Sequence, residues 1–389
     1  MGALSKLLLV TFELVNELYT AVGAGVLGMV VLAKHGLESH CAVKTLTVIA
    51  ITTASLVYIM GESEQIKPNK KKIVCITGCD SGLGFSIAQH AVDMGFTVFA
   101  GFLSLESKGS KEIRKIYGSK IVQIQLDITN LCSVCAAVKT IKHFLSQNID
   151  YSLYAIVNNA GVMVFGEFEW LTDKLIQQQL DVNLMGTFRF TNALCPLLRQ
   201  HKGRVITVTS HCSEATLPGL AVYGATKAAL TAWSDGLRVE MAKYGVQVLT
   251  FIPGSFTLQS NIMGSQLQNV QDMHDSFTPE QHSFYSDYFK RYNIYLSHIT
   301  PPPKPVKIDD PDLYKVFERT LLDKYPQTVY KNENWRYKFY HTMFKISPVW
   351  LRDWLVVQFM QMPEYIPEDN GETDEDFANI STDDIDADM

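Results

Sequence analysis

The chain has 389 residues, 47% hydrophobic and 19% charged. It is too apolar for a disordered protein and too long for a disulfide-stapled mini-domain. Its formal charge of −6 resides in the tail: residues 368–389 hold ten of the 40 acidic residues and no basic one, leaving 30 acidic against 34 basic elsewhere. Such a near-neutral body, with no dense basic stripe, excludes a nucleic-acid partner.

Two uncharged runs open the chain, residues 18–33 and 45–61. Each is slightly short of the roughly 20 residues that span a bilayer. A signal peptide has one apolar core followed by a soluble chain, so a second run within a dozen residues points to a retained anchor. Lys67, Lys70, Lys71 and Lys72 follow the second run and mark the cytosolic side. Two spans would form a hairpin with both termini in the cytosol. One span, an interfacial helix, or two buried helices of a soluble protein are the alternatives. The expected location is the endoplasmic reticulum membrane with a cytosolic catalytic domain, or else a mitochondrial membrane.

Residues 62–72 read as a linker. A strand–helix rhythm then begins, with strands predicted at 73–77, 96–100, 121–126, 154–157, 204–208 and 246–252. Strands alternating with helix-length segments imply βαβ units and a parallel sheet. The rhythm fails after Pro253. Residues 311–362 read as aromatic-rich helices, and the acidic tail as a solvated disordered segment. The expected organisation is an anchor at 1–61, a linker at 62–72, a Rossmann-type doubly wound α/β core at 73–260, a helical substrate-binding extension at 261–362 and a tail at 363–389. The seven cysteines, an odd number without regular spacing, fit a reduced compartment. Cys132 and Cys135 form an isolated C-x-x-C, read as ordinary thiols; no metal site is expected.

After the first strand comes Thr77-Gly78-Cys79-Asp80-Ser81-Gly82-Leu83-Gly84. A glycine-rich turn between strand and helix brings backbone N–H groups and a helix N-terminus against a pyrophosphate. The G-x-x-x-G-x-G spacing resembles the short-chain dehydrogenase/reductase family. Asn158-Asn159-Ala160-Gly161, Tyr223-x-x-x-Lys227 and Ser210, thirteen residues before Tyr223, carry the same resemblance across residues 72–258. Tyr223 and Lys227 fall one turn apart on a helix face. A nearby ammonium lowers a phenol's pKa, which would fit Tyr223 for proton transfer with a substrate hydroxyl. Ser210 would hold the substrate oxygen. The resemblance further implies that Asn183 supports a water-linked proton path to Lys227. It implies that Ser81, Leu83, Asp127, Asn159, Ala160, Gly161 and Pro253-Gly254 join the three glycines at a nicotinamide dinucleotide. A homodimer is also implied. The threonine the family often carries four residues after that glycine is replaced by Leu258, with Thr257 one earlier.

The second strand ends Ala100-Gly101-Phe102-Leu103, without a cation for the 2′-phosphate of NADP and without the ribose-binding acid usual for NAD. Absence of the cation makes NAD the expected cofactor, with NADP possible. Asp80 after Cys79, the Phe-Thr-Val-Phe-Ala strand and the apolar N-terminus resemble the hydroxysteroid/retinol dehydrogenase branch. The substrate expected is a lipophilic alcohol or ketone of steroid or retinoid class. A hydroxybutyrate-type enzyme acting on a small hydroxy acid and a catalytically idle scaffold on the same fold are the alternatives.

Overall fold

The computed structural model describes residues 64–256, 259–298 and 306–366. Both uncharged runs, residues 257–258 and the acidic tail lie outside them. Among the described residues no helix is long and apolar enough to cross a membrane.

The first six strands are β1 (Lys72–Ile76), β2 (Thr97–Phe102), β3 (Ile121–Gln125), β4 (Ser152–Asn158), β5 (Arg204–Val208) and β6 (Gln247–Ile252). The intervening helices are α1 (Gly82–Asp93), α2 (Lys108–Tyr117), α3 (Leu131–Gln147), α4 (Asp173–Gln179), α5 (Thr187–His201) and α6 (Ala221–Ala242). All expected strands are present, with ends displaced by one or two residues. After β6 come α7 (Gln266–Ser276), α8 (Pro279–Ser297), α9 (Pro311–Leu322), β7 (Val329–Lys331), α10 (Trp335–Ile346) and α11 (Val349–Met360).

The sheet is parallel throughout, in the order β3-β2-β1-β4-β5-β6-β7. Its inner strands are buried on both faces, so they read as continuous runs rather than alternations; all five residues of β5 are buried. Phe85 and Ile87 of α1, Ile113 of α2 and Phe317 of α9 pack on one face. Val134 and Ile141 of α3, with Phe190 and Leu194 of α5, pack on the other. Two cores, one per face, make the sheet doubly wound.

The seventh strand was not foreseen. It comes from the segment read as wholly helical, because three residues give too short a period to register. It is fixed through α9, where Thr320 O and, just past the helix, Asp323 O accept bonds from the Arg204 guanidinium at the foot of β5. The Tyr154 hydroxyl donates to Leu321 O beside them.

A third core sits over the carboxyl ends of the strands. Trp170 stands at its centre, edge-on to Tyr285, Tyr288, Phe289 and Tyr292 of α8 at 4.9–5.6 Å.

Candidate active site

Strand order reverses between β1 and β4, and in open parallel sheets ligands bind at that point, beyond the carboxyl ends. A cleft of about 1870 Å³ lies there. Gly78, Ser81, Gly82, Leu83, Gly84, Asp127, Asn159, Ala160, Gly161, Ser210, Tyr223, Lys227, Pro253 and Gly254 all line it. Asn183 is fully buried behind them.

The turn after β1 is shaped by close approach. A Cβ on Gly84 would sit 2.1 Å from Gly78 O and 2.4 Å from Asn159 Nδ2, so only glycine lets α1 start against the β4 loop. Gly82 has φ +56, and a Cβ there would meet Ser260 at 2.8 Å. Ser81 caps α1 without spending its hydroxyl on a backbone N–H. The Thr77 hydroxyl accepts from Asn159 N and Ala160 N at 3.1 and 3.0 Å, binding the turn to the Asn-Asn-Ala-Gly segment. The cradle therefore offers what a dinucleotide requires: unencumbered backbone at a helix N-terminus and a free hydroxyl.

Asp80 is the residue sequence reading left without a task. Its Oδ2 accepts from Leu103 N at 2.8 Å, placing a carboxylate at the end of β2. A carboxylate therefore stands at that strand end although β2 itself carries none; the signal was the aspartate after Cys79. Phe102 is fully buried, so the side chain facing the cleft at this strand end is Leu103. Asp127 turns its Oδ1 to Thr129 N and Thr129 Oγ1 at 2.9 and 2.7 Å, holding its own loop.

Asn183 lies in a π-helical turn, Leu180–Gly186, between α4 and α5. Such widened turns often mark functional positions, and no sequence pattern announces one here. Asn183 Oδ1 accepts from Val162 N at 2.8 Å, and Nδ2 donates to Val162 O and Thr226 Oγ1 at 2.9 and 3.1 Å. That locks the segment following Gly161 to α6.

Tyr223 and Lys227 lie one turn apart on α6, both buried. Lys227 Nζ donates to Val208 O at 3.1 Å and stands 5.7 Å from the Tyr223 ring centroid. The expectation that this lysine lowers the tyrosine pKa is not met in this arrangement. Burial dominates, pushing the Tyr223 phenol up, with the Cys212 sulfur adding and Ser210 opposing. Burial also pulls Lys227 down to about 8. Ser210, two residues past β5, caps a short turn by accepting from Cys212 N at 3.2 Å. The Cys212 thiol is raised by burial, which argues against a thiolate nucleophile.

His211 follows Ser210 into a buried polar cluster that the sequence did not disclose. Its ring stacks on His341 of α10 with centroids 4.3 Å apart, and its Nδ1 lies 3.3 Å from Glu333 Oε1. Burial pushes His211 down to about 2 and His341 to about 4, so both are neutral. Glu214 binds Lys331 at 2.6 Å and Lys345 at 3.2 Å. The cluster joins α10 to the loop that carries Ser210.

A parallel seven-stranded sheet, a glycine cradle at the switch point and a Ser–Tyr–Lys group lining the cleft together define a Rossmann-type dinucleotide-fold enzyme. The family model for "short chain dehydrogenase" matches residues 72–269. Rat estradiol 17-beta-dehydrogenase 2 is 30% identical over 83% of this chain and 84% of its own length. Mouse mitochondrial D-beta-hydroxybutyrate dehydrogenase is 39% identical over 49% of the chain and 56% of its own. Rat retinol dehydrogenase 7 is 30% identical over 77% and 92%. A solved short-chain dehydrogenase from Burkholderia cenocepacia, in complex with NADP, shares the fold at TM-score 0.52 and 21% identity, over 73% of this chain and 96% of its own. The chain belongs to the short-chain dehydrogenase/reductase family, in its hydroxysteroid/retinol branch, and is an oxidoreductase of CH–OH groups.

Proposed function

We propose that the protein is a membrane-held, NAD-linked dehydrogenase of a lipophilic alcohol of steroid or retinoid class, or a reductase of the matching ketone. The observation that carries the substrate class is the roof of the cleft. Above Ser210 and Tyr223 it is built from Tyr295 and Leu296 of α8, Trp335 and Tyr340 of α10, and Phe359 and Met360 of α11. Among the described lining residues the only lysine or arginine besides Lys227 is Arg336, whose guanidinium rests on Phe359 at 5.4 Å. Arg291 of α8, a cation that a small hydroxy acid could otherwise recruit, is held by Asp287 at 2.6 Å and does not line the cleft. A bulky apolar substrate fits this wall better than a small anion.

A nicotinamide dinucleotide, when bound, supplies or accepts the hydride. The glycine turn and Ser81 would take its phosphates, and Asp127 and the Asn-Asn-Ala-Gly segment its adenosine side. Asp80, a carboxylate at the end of β2, favours a ribose hydroxyl and repels a 2′-phosphate, which supports NAD. Tyr223 Oη exchanges the proton with the substrate oxygen, and Ser210 Oγ orients that oxygen. Lys227, poised near neutrality by burial, passes the proton on. Asn183 acts at one remove, holding the backbone on which Gly161 and Lys227 meet.

The test is turnover of steroids, retinoids and short hydroxy acids with NAD and with NADP. Activity confined to hydroxy acids, or a lower KM for NADP, would overturn the corresponding half of this reading. Binding of cofactor with no turnover of any alcohol would leave only the scaffold.

A further inference from the structure

Helix α11 breaks the pattern that orders the rest of the molecule. Nine of its twelve residues are apolar, yet only Val356 is buried. A surface helix ordinarily confines its apolar residues to one stripe, and one that is apolar all round is covered by protein or lipid. Here Trp350 and Trp354 are 72% and 56% exposed, and Trp335 of α10 is 72% exposed. Three of the chain's five tryptophans therefore stand uncovered on one helical hairpin. The hairpin is seated firmly, since Phe344 and Val356 pack on Ala215 of the active-site loop.

Three observations select the occupant. Residues 335–360 carry Arg336, Lys338, Lys345 and Arg352 against Asp353, a net positive face even with Lys345 held by Glu214 and Arg352 by Asp353. Tryptophan beside basic residues suits the headgroup layer of an anionic bilayer. A second copy on a two-fold axis would instead set this cationic patch against itself. The hairpin also borders the cleft: Trp335 and Phe359 both line it, so an apolar path runs from the exposed face to Tyr223. Finally, the chain following the uncharged run 45–61 arrives at the same sheet edge. Ile66 N donates to Leu322 O, and Lys324 N to Glu64 O, on the segment leading into β7 and then α10.

We infer that the α10–α11 hairpin is a second membrane contact, lying in the headgroup region of an anionic bilayer and opening the cleft to lipid. It deepens the proposed reading of a lipophilic substrate, but its test does not depend on turnover. All five tryptophans lie among the described residues, so indole emission reports on those alone. The full chain would be reconstituted in vesicles of equal parts phosphatidylcholine and phosphatidylserine, with acyl chains brominated near the headgroup. Emission should be quenched, and most of the quenching should vanish in Trp350→Phe/Trp354→Phe. Phosphatidylcholine alone should quench less; equal quenching would overturn the anionic preference. Unquenched emission from protein that floats with the vesicles would overturn the proposal. So would efficient copy-to-copy disulfide linkage through Trp354→Cys in the same vesicles. Loss of steroid or retinoid turnover with quenching intact would instead count against the substrate reading alone.

Discussion

At the scale of single residues, Tyr223 and Lys227 share one burial and feel opposite consequences of it. The phenol is held protonated and the ammonium is brought down to about 8, because low polarity disfavours whichever form is charged. Tyr223→Phe is expected to reduce kcat by about a hundredfold or more, the usual scale of general acid–base catalysis. Cofactor affinity by titration should stay near wild type; retention of a large part of the turnover would remove Tyr223 from the proton path. Cofactor choice turns on Asp80 and Leu103. Asp80→Ser with Leu103→Arg should raise kcat/KM for NADP relative to NAD, by removing a carboxylate and supplying a guanidinium. Phe102→Arg would instead bury the charge and unfold the strand end. His341 makes a different prediction. Its folded pKa, about 4, lies below the unfolded 6.5. The unfolded chain therefore binds its proton first, and stability is full above pH 6.5 and declines as pH falls toward 4. The loss is on the order of 3 kcal/mol. Denaturant midpoints measured across that range should slope less in His341→Phe; an unchanged slope would assign the acid sensitivity elsewhere.

At the scale of elements, the strands were legible because burial on both faces leaves unbroken apolar runs. β7 was not, since nothing local distinguishes Val329–Lys331 from a loop. It exists because Arg204 and Tyr154 hold the end of α9 at the foot of the sheet. Arg204→Met should cost roughly 3 kcal/mol, as the α9 carbonyls lose a buried charged donor. Hydrogen exchange should then rise first in α9 and β7; uniform loss across the sheet would argue against that local role. The turn into α1 is similarly exacting. Gly84→Ala must displace both Gly78 O and the Asn159 side chain, and overpacking of this kind costs about 1–3 kcal/mol. Cofactor binding should weaken along with thermal stability; a variant that keeps both would show that the turn can yield.

At the scale of the whole molecule, the proposed anchor and the α10–α11 hairpin give separate membrane signatures. The full chain is expected to pellet with membranes through carbonate, and Asn379, in an Asn-Ile-Ser acceptor, is expected to carry no glycan. A glycosidase-sensitive mobility shift that disappears in Asn379→Gln would place the tail in the lumen. The sequence alone determined the family, the succession of the first six strands along the chain, and the glycine turn and Ser210–Tyr223–Lys227 set at the cleft, but not its aromatic roof. Those features rest on short-range chemistry: a glycine where backbone must approach, a tyrosine and lysine four apart, an apolar run where a strand is covered twice. Only the tertiary structure decided that Asp80 reaches the end of β2, that Phe102 turns inward and that His211 meets His341. These pairings join residues distant along the chain, and no local period encodes which of them burial will bring into contact.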